Sequence, residues 1–267
     1  MRKINVPIEA AKIVILMFVA IFSFSSAQAG TLEDIKERGF IKVGISLGGM
    51  PMGGRDQRNE PVGYDYEVAK LLVEKLGVEL RITDVYGDAR VSLLVSGQLD
   101  LVIGNMTVTK KRAEVVDFTN PYFKTGLRII YQKGQNISSL DDLKGKKVVA
   151  GRGTSGAIFI AENVPDADLV YTENFAPNGV LLLRQRRVDA GIEDSSMADY
   201  VASQIGSLEI MPGVFVAGDV AMGVRKDQPE YKAYLNEFIA DYIAGGQYEQ
   251  NIKRWWGEDA EIPELND

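Results

Sequence analysis

From residue 41 onward, short runs of alternating apolar residues trade places with stretches of helical spacing, and no other pattern in the chain restricts the fold as much. Ile41, Val43 and Ile45 alternate as in a half-buried strand. After Gly63-Tyr64-Asp65, Val68, Leu71, Leu72 and Leu76 share one helical face, and Gly77 stops it. Val78, Leu80 and Ile82 alternate again. Asp88 can cap a helix carrying Val91, Leu94 and Val95 that Gly97 ends, Leu99 to Ile103 reads as an apolar strand, and Thr109 caps a short helix reaching Val115. Such β-α-β-α-β order predicts an α/β domain with a largely parallel sheet.

A second series follows. Leu127 to Tyr131 and Val148 to Ala150 read as strands, and Gly151-Arg152-Gly153-Thr154-Ser155-Gly156 opens a helix. Leu169 to Tyr171 is a strand, 178–186 a helix and Ala190 to Glu193 a strand; the chain ends in helical patterns over 230–244 and 248–256. Two series predict two lobes. The join near Tyr122 to Thr125 reads as a strand-like crossover, the kind of segment whose few residues can absorb a domain rotation.

The first 29 residues are of another kind. Arg2, Lys3 and Lys12 precede the apolar run Ile13 to Phe24, and small residues lead to Ala27-Gln28-Ala29. A basic segment, an apolar segment and an A-x-A site predict an export signal cleaved after Ala29, since the run falls short of the ~20 residues that span a bilayer. The alternative is an uncleaved N-terminal anchor. The formal charge of the whole chain is −7, and the leader holds three basic residues against one acidic, Glu9, so the exported part is more acidic still. An acidic surface argues against nucleic acid as a partner. There is no Cys, hence no disulfide and no lipidated cysteine, and no His, the commonest general base and metal ligand. Both absences weigh against an enzyme and against a metal.

Three segments can carry chemistry. In Asp100 to Arg112 a strand gives way to a polar turn and then a helix with Arg112 in its first turns. Ligands of open α/β sheets sit at the carboxyl ends of strands, and Arg offers a planar, permanently charged fork for a carboxylate. A surface Arg on an amphipathic helix is the alternative. In Gly151 to Gly156, glycines allow close backbone approach and a helix N-terminus presents free N–H groups, although the segment is neither a Walker loop nor G-x-G-x-x-G. It can also be a plain strand-to-helix turn. Asp194 follows the strand Asp189 to Glu193; it can accept from an ammonium group, or cap the helix beginning near Ser195. Together the three describe a cleft that is cationic at Arg112 and anionic at Asp194, complementary to an α-amino-acid zwitterion.

These segments resemble the family 3 periplasmic solute-binding proteins, the polar amino-acid binders of ABC uptake systems. Ile41-Lys42-Val43-Gly44 is similar to the family's first strand, and Gly63-Tyr64-Asp65-Tyr66-Glu67 to its G-[FY]-D-x-[DE] motif. Ser96 to Asp100, Met106-Thr107-Val108-Thr109 with Arg112, Val116 to Tyr122, Ser139 to Lys146 and Trp255-Trp256-Gly257 resemble its later landmarks, so the likeness spans the mature chain. It implies a two-lobed periplasmic-binding-protein fold of type II: residues 30–125 plus 218–267 in lobe 1, residues 126–217 in lobe 2, a mostly parallel sheet flanked by helices in each, and two hinge crossings. By position it places Arg112 on the ligand carboxylate, reinforced by Thr154 and Ser155. It places Thr107, the backbone of Asn105 and Asp194 on the ammonium, and leaves Asp65 and Asp117 structural.

Arg90, in Gly87-Asp88-Ala89-Arg90, occupies a place where acidic-amino-acid binders of the family carry an Arg, so it is expected to face a side-chain carboxylate, although members without that preference carry one too. The loop Ser46 to Gly54 departs from the family: it holds glycines where an aromatic often stacks on the ligand, and no basic residue near Ser46. The resemblance thus implies a monomeric periplasmic protein without cofactor or metal. It would bind a zwitterionic amino acid, acidic or polar, by hinge closure and pass it to an ABC permease. An enzyme on the same scaffold, such as a cyclohexadienyl dehydratase working through Glu193 or Asp194, is the competing expectation.

Overall fold

The computed structural model describes residues 31–265, so the export signal expected over residues 1–29 lies outside the described residues. The chain opens with helix α1 (Leu32–Arg38), started by a capping box between Thr31 and Asp34 and ended by Gly39 in the left-handed region. Strand β1 (Phe40–Ile45) follows, then a small hairpin of β2 (Gly54–Arg55) and β3 (Pro61–Val62). Helix α2 (Tyr64–Leu76) buries Tyr64, Val68, Leu72 and Leu76 on one face, as their spacing predicts. Strand β4 (Glu79–Asp84), helix α3 (Ala89–Val95), strand β5 (Leu101–Val102) and the single turn α4 (Lys110–Ala113) complete the first series. Thr109 caps α4 through the Arg112 N–H as expected, whereas Asp88 precedes α3 without capping it.

Strand β6 (Val116–Gln132) is 17 residues long and leads into the second series. That series comprises β7 (Lys147–Gly151), α5 (Ser155–Asn163), β8 (Asp168–Thr172), α6 (Val180–Arg184), β9 (Ala190–Asp194), α7 (Ser195–Gln204) and β10 (Leu208–Ile210). Strand β11 (Phe215–Arg225) returns the chain to helices α8 (Pro229–Ala244) and α9 (Gln247–Trp256).

The strands form one mixed nine-stranded sheet in the order β4-β1-β5-β11-β6-β9-β7-β8, with β10 also on β6. Each end is parallel as the sequence predicts: β1 pairs with β4 and β5, and β7 with β8 and β9. The centre corrects the expectation of two separate, mostly parallel sheets. There β6 and β11 run antiparallel along each other and hydrogen-bond outward to β9 and β5. The physical reason is the length of β6, which stays extended through the expected crossover and carries its ladder from one parallel end to the other.

The apolar core follows the same division. One cluster is built from Ile41, Val43, Leu72, Leu101, Tyr122, Leu235 and Ile239, with Val102, Leu94 and Val116 in a satellite. Others gather Ile129, Val148, Ile160 and Ile192, and Ile130, Val149, Phe175 and Leu183. Between them the β6–β11 ladder is irregular. Phe215 faces Leu127 but Gly218 faces Thr125, so β11 carries one extra residue there, and Val216 adopts φ +44°.

Candidate functional site

The carboxyl ends of β1, β5, β7 and β9 open onto a single cavity, the place where an open α/β sheet offers its backbone and loop groups to a ligand. All seven residues singled out in the sequence line it: Arg90, Asn105, Thr107, Arg112, Thr154, Ser155 and Asp194.

Just past β5 the backbone turns at Asn105, whose φ is +47°, a left-handed conformation that Asn adopts more readily than most residues. Arg90 holds the turn. It is 6% exposed, donates from Nη1 to the carbonyls of Gly104 (2.6 Å) and Asn105 (3.0 Å), and donates from Nε to the carbonyl of Gly87 (3.0 Å). Asp65 supports the turn from below. Its Oδ1 accepts from the Tyr122 hydroxyl at 2.6 Å. Burial lifts its pKa to about 7, against the pull of Tyr122, the Asn105 amide and Arg90.

Arg112 is buried at the start of α4. Its Nη1 donates to the Thr107 carbonyl at 2.7 Å, and its Nη2 reaches the Gly153 carbonyl at 3.2 Å. Burial and the neighbouring Arg90 lower its pKa to about 10, which leaves it cationic at neutral pH. Across the cavity, Thr154 is the N-cap of α5, accepting from the Ala157 N–H at 3.3 Å and donating to the Gly151 carbonyl at 2.8 Å. Ser155 is the first helical residue, where backbone N–H groups lack intrahelical acceptors.

Asp194 ends β9 and precedes α7, and its carboxylate makes no capping bond to that helix. It points into the cavity instead, where Oδ2 accepts from Asn105 Nδ2 at 2.8 Å. The other oxygens of this pair, Asp194 Oδ1 and Asn105 Oδ1, are buried and find no hydrogen-bond partner. Buried acceptors left this way are costly, and each calls for a donor. The Glu193 carboxylate lies alongside and accepts the Asp194 N–H at 3.0 Å. Burial raises both carboxyls above the ordinary range. For Glu193 the charge of Asp194 adds to the rise, and Arg90 opposes it in both.

The remainder of the lining was less legible. Ser46, Gly49 and Met52 come from the glycine-rich loop. Tyr86, Asn174, Phe175 and Met197 carry no motif, and a Met on a helix with apolar spacing reads as core. A tyrosine directly before a glycine turn at the end of β4 was the one available signal. Asp117 sits away from the cavity, paired with Lys226 at 3.2 Å. Among the described residues no cluster of acidic side chains is arranged to hold a metal ion, and no helix is long and apolar enough to cross a membrane.

The family model for bacterial extracellular solute-binding proteins, family 3, matches residues 41–258. The L-cystine-binding protein TcyJ of Escherichia coli is 30% identical over 238 residues, covering 88% of this chain and 89% of that protein. Among solved structures, the arginine-bound form of truncated ArgBP from T. maritima superposes with a TM-score of 0.75 at 31% identity, covering 78% of this chain and 99% of the other. A solute receptor for L-cysteine of Neisseria gonorrhoeae reaches a TM-score of 0.82 at 26% identity, covering 86% and 97%. The chain belongs to the family 3 bacterial extracellular solute-binding proteins.

Proposed function

We propose that this chain is the amino-acid-binding component of an ABC uptake system, working outside the cytoplasmic membrane after loss of residues 1–29, as a periplasmic monomer that delivers its ligand to a permease. The observation that carries the reading is the pair of buried, unpartnered acceptors on Asn105 and Asp194 in the same cavity as the buried Arg112 guanidinium. An α-ammonium supplies the donors the first pair lacks, and an α-carboxylate supplies an anion for Arg112 and the α5 N-terminus. Thr107 and Ser155 complete the two ends, with Thr154 fixing the start of α5. Arg90, with Nε and Nη1 committed to three carbonyls, organises the Asn105 turn in this reading rather than meeting a side-chain carboxylate. That removes the reason for an acidic ligand. The relatives named above are binding proteins for cystine, arginine and cysteine, which fits capture rather than turnover.

In the same reading residues 30–125 with 218–267 form one lobe and residues 126–217 the other. Apolar clusters centred on the two sides, with Met197 reaching from the second into the first, and an irregular ladder where β6 and β11 pass between them, support that division. The ligand touches both lobes and favours closure through that differential contact. A thermal-shift screen against the proteinogenic amino acids and cystine tests it. At least one raises the melting temperature by several degrees, while its methyl ester and its N-acetyl derivative do not. Equal shifts with either derivative would remove the zwitterion from the account.

A further inference from the structure

The glycine-rich loop after β1 meets the second series at close quarters. A Cβ placed on Gly48 would fall on the Asn174 carboxamide and lie 2.5 Å from the Tyr86 hydroxyl. A Cβ on Gly49 would fall on the Met197 methyl and lie 2.7 Å from its sulfur. Neither glycine has a positive φ, so space rather than backbone conformation is what these positions supply. Asn174 and Met197 both belong to the second series of elements, and the loop belongs to the first.

The wall formed in this way borders the backbone clamp. The Met197 sulfur lies 4.0 Å from Asn105 Nδ2. The Tyr86 hydroxyl lies beside the Asp84 carboxylate and the Asn174 carboxamide, Asp84 accepts from the Leu47 N–H at 3.0 Å, and Ser46 Oγ donates to the Val85 carbonyl at 2.6 Å. Apart from Asp84 behind it, the wall carries no formal charge of its own. Arg90, Arg112, Glu193 and Asp194 gather at the clamp, and Glu173, largely exposed, is paired with Arg152 at 3.3 Å.

We infer that Gly48 and Gly49 are seats for Asn174 and Met197, and that this thioether, carboxamide and phenol wall selects amino acids with an uncharged side chain. The inference rests on the amino-acid reading above. A charged side chain entering the wall would shed its water without gaining a free counter-charge, since Asp84 is engaged by the Leu47 N–H and Glu173 by Arg152, and that is the costliest kind of burial. An amide, thiol, thioether or disulfide side chain meets partners of its own polarity.

Calorimetric titration of the full chain tests this, with glutamine, methionine and cystine set against glutamate, lysine and arginine. The uncharged group is expected to contain the best ligand, bound at least about tenfold more tightly than any charged one. Gly49→Ala, which ejects the Met197 thioether from its seat, is expected to weaken that ligand at least about tenfold, and Met197→Ala, which leaves the loop untouched, to weaken it likewise. Asn174→Asp is expected to shift preference toward lysine or arginine. A charged best ligand for the unmodified protein overturns the inference and leaves the amino-acid reading standing, with ArgBP as the nearer likeness. Affinity within twofold in both Gly49→Ala and Met197→Ala overturns the seats. If no amino acid binds the unmodified protein, both readings fall together.

Discussion

Asp194 shows how one carboxylate can serve two opposed demands. Burial raises its pKa, so in the ligand-free protein the charge is disfavoured, yet an ammonium ligand requires that charge. Affinity should therefore fall as the pH is lowered from 8 to 5, by at most about tenfold per unit, and Asp194→Asn should bind weakly and show little of this slope. Titrations at four pH values check it; a flat profile for the unmodified protein would count against the carboxylate. Stability has the opposite sign. A carboxyl whose folded pKa is raised stabilises below its unfolded value and loses that contribution as pH rises through the folded one. For Asp65 the window runs from about 4 to about 7. The ligand-free melting temperature should drop across that window, and Asp65→Asn, which can still accept from Tyr122, should drop less. At this scale the sequence was informative where chemistry and position coincided. Arg112 and Asp194 stood out because each places a formal charge just beyond a strand's carboxyl end. For Arg90 the charge was visible, whereas its three carbonyl partners, fourteen and fifteen residues away for two of them, were not. Asn174 and Met197 were silent because nothing local marks a side chain whose partner is a glycine across a cleft.

The elements were legible in proportion to their periodicity. Helix α2 and strands β1, β7 and β9 follow their apolar spacing closely, since each buries one face or both against a single layer. The continuity of β6 was legible only in part: Tyr122 to Thr125 read as a strand-like crossover, but the polar Thr119 and Asn120 hid the extension back to Val116 that the ladder to β11 maintains. The same ladder contains a testable irregularity. Val216 is 62% exposed and holds φ +44°, a conformation that costs a β-branched residue on the order of 1–3 kcal/mol. Val216→Asn loses little burial and should raise the melting temperature by a few degrees; a fall would show that Val216 makes a contact worth more than its strain.

For the whole molecule, the proposed closure turns on the contacts between the two series. Asn105 meets Asp194, Arg112 meets the Gly153 carbonyl, and the indole N–H of Trp256 in α9 reaches the Ser196 carbonyl at 3.4 Å. All three are polar, so in the proposed reading a ligand that bridges the same surfaces decides the balance between open and closed forms. The central claim is a zwitterion clamp with its two ends on Arg112 and Asp194, and the most direct measurement is calorimetric titration of the best amino acid into the unmodified protein, Arg112→Ala and Asp194→Asn, with Arg81→Ala at an exposed ion pair as the control. Truncating one partner of a buried charge pair costs about 2–5 kcal/mol, so each clamp variant is expected to lose on the order of a hundredfold in affinity or more, and the control none. Retention of affinity within threefold by either clamp variant, with the fold intact by circular dichroism, would contradict the account.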